Sequence, residues 1–184
     1  MVPMQNRVPY TVFASLAVLG VALTPSSAMA QRPTGAGETI PVRIKLGALR
    51  PSGQTTRNLS GSQVPGGLID LAGSRAADAR TLTVGYFQGS TNGKSFRTIP
   101  LLVTKDSAST SSVQSLTGFY TSEGLGAYFI DAASSGFKMR LGGYVGAGLR
   151  LSGGLLVEAQ YHYVNGSVNG ASPNGIAIFI GRRN

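Results

Sequence analysis

Residues 137–163 read FKMRLGGYVGAGLRLSGGLLVEAQYHY, and the alternation within this stretch decides the fold. Successive side chains on a β-strand point to opposite faces, so the stretch predicts two strands joined by a tight turn at residues 152–154. One face of this hairpin is apolar and carries Met139, Leu141, Val145, Leu149, Leu155 and Val157. The other face carries glycines together with charged and polar residues, namely Arg140, Tyr144, Arg150, Glu158, Gln160 and His162.

The length of these two strands indicates where they lie. Each keeps its alternation for about a dozen residues, whereas strands in globular proteins usually have about 5–6 residues. A strand that crosses a bilayer at a tilt needs about 9–11 residues. The hairpin is therefore predicted to cross a membrane.

Further alternating stretches predict strands at residues 40–49, 66–72, 80–88, 95–104, 116–131 and 176–180, which make eight with the hairpin. Polar loops rich in Ser, Gly, Thr, Asn and Pro separate them, and no stretch has a helical period. The connections include a short one at 74–78, a hairpin turn at 89–93 and a loop at 106–115. Pro100 lacks a backbone donor and is expected to disrupt pairing locally. A bulge near Gly124 is expected to restore the phase of the fifth strand, because Glu123 otherwise shares its apolar face. The predicted fold is all-β: an eight-stranded antiparallel up-and-down transmembrane β-barrel, which has no free edge.

The first thirty residues predict a cleavable signal peptide rather than part of the fold. Arg7 supplies the positive charge, residues 8–23 are largely apolar, and Ala28-Met29-Ala30 matches a cleavage site. The predicted organisation is a signal peptide at 1–30, a flexible lead-in at 31–39 and a β-barrel domain at 40–184. The mature protein is accordingly expected to be exported.

The composition limits the kinds of site and partner that the chain can have. The chain has no cysteine, one histidine and a formal net charge of +9, which excludes disulfides and thiolate metal ligands. Neither a metal site nor a cofactor is expected. The basic residues are dispersed along strands rather than gathered in runs, so nucleic acid is not an expected partner. Anionic lipid head groups suit the charge better.

Glycine placement predicts which face is the interior. Glycines beside arginines would weaken a strand facing water, but they leave room for long side chains in a narrow eight-stranded lumen. We therefore expect Glu158 to neutralise lumen cations, drawn from Arg140, Arg150, Arg43 and Lys45, with His162, Gln160 and Tyr144 also facing the lumen. The lipid-facing residues are expected to be Met139, Leu141, Val145, Leu149, Leu155, Val157, Ile176 and Ile178. An aromatic girdle is expected from Tyr86, Phe129, Tyr161 and Tyr163.

The signal peptide, the eight alternating strands and the run from Gly142 to Tyr163 resemble the small bacterial outer-membrane β-barrels of the OmpA transmembrane-domain, OmpX-like and OmpW-like class. The resemblance implies that residues 40–184 are an outer-membrane β-barrel domain and that the mature protein is integral to a bacterial outer membrane. It also implies outer-membrane lipid, lipopolysaccharide and the barrel-insertion machinery as partners. Such barrels usually end on an aromatic residue, whereas this sequence ends Phe179-Ile180-Gly181-Arg182-Arg183-Asn184.

The predicted function is structural or surface-interacting, through loops at 50–65, 89–94, 132–136 and 165–173. The lumen is predicted to be narrow, polar and plugged, which disfavours a wide pore and leaves open a minor conductance for small solutes. One alternative is a periplasmic lipocalin-like carrier of a hydrophobic ligand. The second is a lipid A-modifying barrel enzyme built on His162, but no catalytic set is predicted, because Val164 stands where a deacylase-type arrangement would have serine.

Overall fold

Eight antiparallel strands form a closed barrel in the computed structural model, which describes residues 42–72, 80–108 and 118–183. Each strand pairs with the next, and the last pairs with the first. In chain order they are β1 (Val42–Pro51), β2 (Val64–Ala72), β3 (Thr81–Thr91), β4 (Lys94–Ala108), β5 (Gly118–Ala132), β6 (Lys138–Arg150), β7 (Leu155–Val164) and β8 (Gly175–Arg183). The prediction of an all-β, eight-stranded, closed antiparallel barrel is confirmed.

Several predictions fall outside the described residues. These are the signal peptide at 1–30, the lead-in at 31–39, the first two residues of the predicted first strand, the connection at 74–78, most of the predicted loop at 106–115 and the start of the fifth strand at 116–117. They stay predictions.

The up-and-down order places the connections at two ends. The connections at 52–63, 92–93, 133–137 and 165–174 lie at one end, here called the helix end. The start of β1, the connection at 151–154 and the end of β8 lie at the other, here called the terminal end. The turn predicted at 89–93 narrows to Asn92-Gly93, whose φ angles of 53° and 75° are those of the tight turns that match strand twist in hairpins.

Pairing is interrupted at Pro100 as predicted, whereas the bulge predicted near Gly124 is absent. The β3–β4 pairing passes from Val84 with Leu101 to Phe87 with Thr98, and it is interrupted between them, at Pro100. The bulge expected near Gly124 is wrong, because β5 pairs without a break from Gly118 to Ala132. Glu123 therefore stays on the outer face of the barrel, exposed and opposite Lys105.

A short helix, α1 (Gln54–Ser60), occupies the stretch that was predicted to be only a loop. Its seven residues include a single large apolar side chain, Leu59, so it shows no helical period. Tertiary contacts hold it instead: the Thr56 hydroxyl donates to Ser172 O at 2.9 Å and accepts from Ser172 N at 3.0 Å. Leu59 joins the apolar core inside the barrel. Among the described residues, no helix is long and apolar enough to cross a membrane.

The packing of α1 against β3 requires a glycine at position 89. A Cβ at Gly89 would lie 2.6 Å from Ser60 O and 2.7 Å from Ser60 Cβ, so Gly89→Ala should lower the free energy of unfolding by about 1–3 kcal/mol and speed proteolysis within α1. Gly53→Ala is the matched control, since its Cβ would make only an ordinary contact at 3.6 Å. Its expected change lies within about 0.5 kcal/mol. Equal effects of the two substitutions would contradict the packing of α1 against β3.

Candidate functional site

The barrel interior divides into a polar half at the terminal end and an apolar half at the helix end. The polar half is built by inward-facing positions of β1, β2, β4, β5, β6 and β7. Here it is called the interior polar cluster, and its members are Arg43, Lys45, Asp70, Asp106, Tyr120, Ser122, Arg150, Glu158 and Gln160.

Glu158 is the centre of this cluster and is 1% exposed. Its carboxylate accepts from Lys45 Nζ at 3.1 Å, from the Tyr120 hydroxyl at 3.1 Å and from Gln160 Nε2 at 2.9 Å. The Ser122 hydroxyl is a fourth donor. A carboxylate removed from water needs both an opposite charge and full hydrogen bonding, and Glu158 has both.

Two aspartates complete the charge balance. Asp70 lies 3.0 Å from Lys45 Nζ and 3.6 Å from Arg43 Nε, while Asp106 lies 2.7 Å from Arg43 and 3.4 Å from Arg150. Arg150 also stacks over the Tyr120 ring at 4.7 Å. In the described residues, the three cations of the cluster therefore meet three acids, and the formal charges cancel.

Of the four cations predicted to neutralise Glu158, only Lys45 contacts it. Arg43 and Arg150 pair instead with the two aspartates, which sequence reasoning did not identify. In β2, alternation puts Asp70 on the other face from Ile69 and Leu71. Its inward orientation could therefore have been predicted from the sequence. Asp106 was assigned to a loop because the fourth strand was predicted to end near residue 104, whereas β4 continues to Ala108.

Arg140 is not part of the interior polar cluster, so its predicted pairing with Glu158 is wrong. It lies at the start of β6, at the helix end, and donates to the carbonyl oxygens of Met139 at 3.0 Å and Ser167 at 3.2 Å. Because β6 runs from the helix end to the terminal end, Arg140 and Arg150 point inward at opposite ends of the barrel.

The apolar half of the interior is packed. Its buried side chains include Leu49, Val64, Leu68, Phe87, Phe96, Leu102, Ile130 and Phe179, and Leu59, Val168 and Ala171 cover them from the helix end. The prediction of a polar lumen therefore holds for one half only.

His162 lies in this apolar half and is 1% exposed. Its Nδ1 is 2.8 Å from the Tyr128 hydroxyl, and the rings of Phe87, Tyr128 and Tyr144 surround it at centroid distances of 5.5–6.1 Å. Gln160 and Tyr144 are also buried inside the barrel. The surroundings of His162 are those of a core side chain.

The outer face is apolar around the barrel. All eight residues that were predicted to face lipid point outward and are exposed, with exposed fractions between 37% and 66%: Met139, Leu141, Val145, Leu149, Leu155, Val157, Ile176 and Ile178. On β6 the apolar positions run from Met139 to Leu149, about 33 Å along the strand at about 3.3 Å per residue. At a strand tilt of about 40° this corresponds to roughly 25 Å of height.

Charged residues border this apolar surface on β4, whereas on β5 Glu123 lies within it, between Phe119 and Leu125. On β4, Arg97 and Lys105 flank the outward residues Ile99, Leu101 and Val103. Arg97 pairs with Asp131 and lies 5.4 Å from the Phe137 ring centroid.

The four residues of the predicted aromatic girdle also face outward. Phe129, Tyr161 and Tyr163 lie within the last four residues of their strands, near the helix end, and Tyr86 lies at the middle of β3. Three of the four therefore mark the helix end, and none marks the terminal end.

Metal chemistry has no support among the described residues, where no three His, Cys, Asp or Glu side chains form a group able to hold an ion. Comparison of the chain with protein-family models, curated proteins and solved structures found no match. The geometry of the barrel is therefore the basis for the function proposed below.

Proposed function

We propose that this protein is an integral β-barrel of a bacterial outer membrane, with a structural or surface-interacting role. The observation that carries the proposal is the arrangement of the two faces. Large apolar side chains are exposed around the outside, while Lys45, Asp70 and Glu158 are buried within. In water, exposing an apolar surface of this extent and burying ions would both be unfavourable. In lipid the same arrangement is favourable, because the outer side chains meet hydrocarbon.

The helix end is proposed to face the cell exterior, and the terminal end the periplasm. The connection at 52–63 carries α1, and the connection at 165–174 is tied to it through Thr56 and Ser172. Asn169 Nδ2 also donates to Ala132 O at 3.1 Å. These contacts order the surface formed by these connections, which suits a role in contact with other molecules or in stabilising the envelope.

The packed interior supports this role over the two alternatives. A lipocalin-like carrier needs room inside its barrel, but Phe87, Phe96 and Phe179 fill the apolar half. The same packing separates the interior polar cluster from the helix end, so we propose a barrel that conducts no solutes. A lipid A-modifying enzyme would need His162 within reach of lipid, whereas this residue is enclosed by core aromatic rings. We propose that the barrel is not an enzyme.

The proposal predicts how the full chain partitions when it is expressed with its N-terminal segment. It should be recovered from the envelope only with detergent, and its gel mobility should change on boiling, because a closed barrel resists unfolding by detergent until it is heated. Recovery of folded, monomeric protein in detergent-free buffer would overturn the proposal and favour the carrier.

A further inference from the structure

The helix end of the barrel carries an excess of positive charge. In the described part of the chain this end has a single acid, Asp131, and Asp131 pairs with Arg97. The cations at this end are here called the cationic rim, and they are Arg50, Arg57, Lys94, Arg97, Lys138 and Arg140. A surface field of one sign attracts ligands of the opposite charge.

The barrel itself does not neutralise the cationic rim. Arg57 and Arg140 donate to uncharged oxygen atoms of the backbone and of a glutamine side chain. Within the described ranges, the side chains of Arg50, Lys94 and Lys138 have no hydrogen-bond or ionic partner. The interior polar cluster differs, because each of its cations meets an acid. The charge of the rim is therefore left for a ligand outside the barrel.

Arg50 directs this charge towards the side of the barrel rather than over its mouth. It follows Leu49, which belongs to the core, and its cross-strand partner is Ile176, an outward residue that is 53% exposed. Ile176 pairs in turn with Tyr161, so Arg50 and Tyr161 lie in one row of outward positions, about 10 Å apart at about 4.8 Å per strand. Tyrosines of an aromatic girdle lie at the level of lipid head groups. Arg50 is therefore placed where a membrane lipid presents its phosphate.

The rim continues around the barrel from Arg50. Arg97, on β4, faces outward like Ile99, and its guanidinium lies over the Phe137 ring. Lys94 and Lys138 are exposed at the first positions of β4 and β6. A ligand that matches the whole rim therefore carries more than one anionic group.

We infer that the cationic rim binds the phosphate groups of lipopolysaccharide in the outer leaflet beside the barrel, with Arg50 as the contact on the side of β1 and β8. The inference rests on the proposed function, because it needs a barrel in an outer membrane with the helix end outside. Lipopolysaccharide is the anionic lipid of that leaflet, and its head group carries several phosphates. Arginine suits this ligand, because its fork of donors matches two phosphate oxygens. The outward direction of Arg50 favours a lipid beside the barrel over a soluble polyanion above its mouth.

The test is native mass spectrometry of the barrel, purified from the envelope in detergent and mixed with equal amounts of two probes. One probe is lipid A with two phosphate groups, and the other is the same lipid A with both phosphates removed. The wild-type barrel should retain the phosphorylated probe in preference. Arg50→Gln should reduce that preference about five-fold, the share of one cation at an anionic membrane surface.

Arg182→Gln is the matched control, because it removes an exposed arginine at the terminal end, on the neighbouring strand β8. It should leave the preference unchanged. Lys138→Gln is an independent variant of the rim and should lower the preference to a similar extent as Arg50→Gln. The change of gel mobility on boiling verifies that each variant is folded.

A third probe, phosphatidylglycerol, distinguishes lipopolysaccharide from any anionic lipid. Retention of phosphatidylglycerol as strong as that of phosphorylated lipid A would overturn the inference, and so would equal losses in Arg50→Gln and Arg182→Gln or no preference for the phosphorylated probe. Each of these results leaves the proposed function standing, because envelope fractionation tests that function separately. A chain that is recovered folded in detergent-free buffer overturns both.

Discussion

Replacing Glu158 by leucine is expected to lower the free energy of unfolding by about 3–5 kcal/mol, because it breaks a buried ion pair from one side. Tyr120, Ser122 and Gln160 would lose this acceptor, and Lys45 would keep only Asp70 as an ionic partner. The interior polar cluster would then hold three cations against two acids. The measurement is a urea unfolding curve of the barrel folded in vesicles. The folded fraction at each urea concentration is read from the mobility shift on unheated gels.

Two further variants separate pairing from a general loss of charge. Glu123→Leu removes the same charge from the outer face, where Glu123 is exposed, and should change the free energy of unfolding by less than about 1 kcal/mol. Adding Lys45→Met to Glu158→Leu restores the charge balance, and the pair should show a coupling energy of roughly 0.5–3 kcal/mol. Strictly additive effects would exclude an energetic link between Lys45 and Glu158.

Replacing Ile178 by arginine should cost about 2–4 kcal/mol when the barrel is folded in lipid, the range for a cation on the lipid face near the bilayer centre. Ile178 is 59% exposed, and its cross-strand partners are Ala48 and Ala159. Neither partner can neutralise the introduced charge. The free energy of unfolding in vesicles measures the cost.

Met139→Arg is the matched control for this substitution. Met139 is almost equally exposed, at 57%, but it lies at the start of β6, near the helix end, where an arginine should cost about 0–1 kcal/mol. The difference between the two positions therefore reports depth in the membrane rather than the chemistry of arginine. Equal costs at both positions, or better folding of Ile178→Arg in water, would contradict a lipid-facing surface.

The alternation of residues allowed much of the fold to be predicted, and some predictions failed for physical reasons. Strand number and inward or outward orientation follow from a period of two, which is local. Strand ends depend on pairing: β4 continues to Ala108 because β5 pairs with it that far. The expected bulge near Gly124 assumed that a carboxylate must avoid the apolar face, but Glu123 lies on that face opposite Lys105.

The candidate site, too, could be predicted only in part. Alternation placed Lys45 and Glu158 on inward faces, but which charges meet depends on height along the barrel axis as well as on orientation. Arg140 and Arg150 share a face of β6, ten positions apart, and only Arg150 reaches an acid of the interior polar cluster. No alternating pattern marks α1, since contacts distant in sequence stabilise it.

The sequence by itself determined that eight strands alternate between two faces, one of which is apolar, because side-chain direction on a strand is a property of neighbouring residues. Only the tertiary structure decided which residues share a level inside the closed barrel. It places Glu158 with Lys45 across 113 residues of sequence, fills the other half with aromatic and aliphatic side chains, and places Arg140 at the helix end, where it donates to Ser167 O. Strand register decides which side chains become neighbours inside the barrel. The registers must be mutually consistent for the barrel to close, so they depend on all eight strands together.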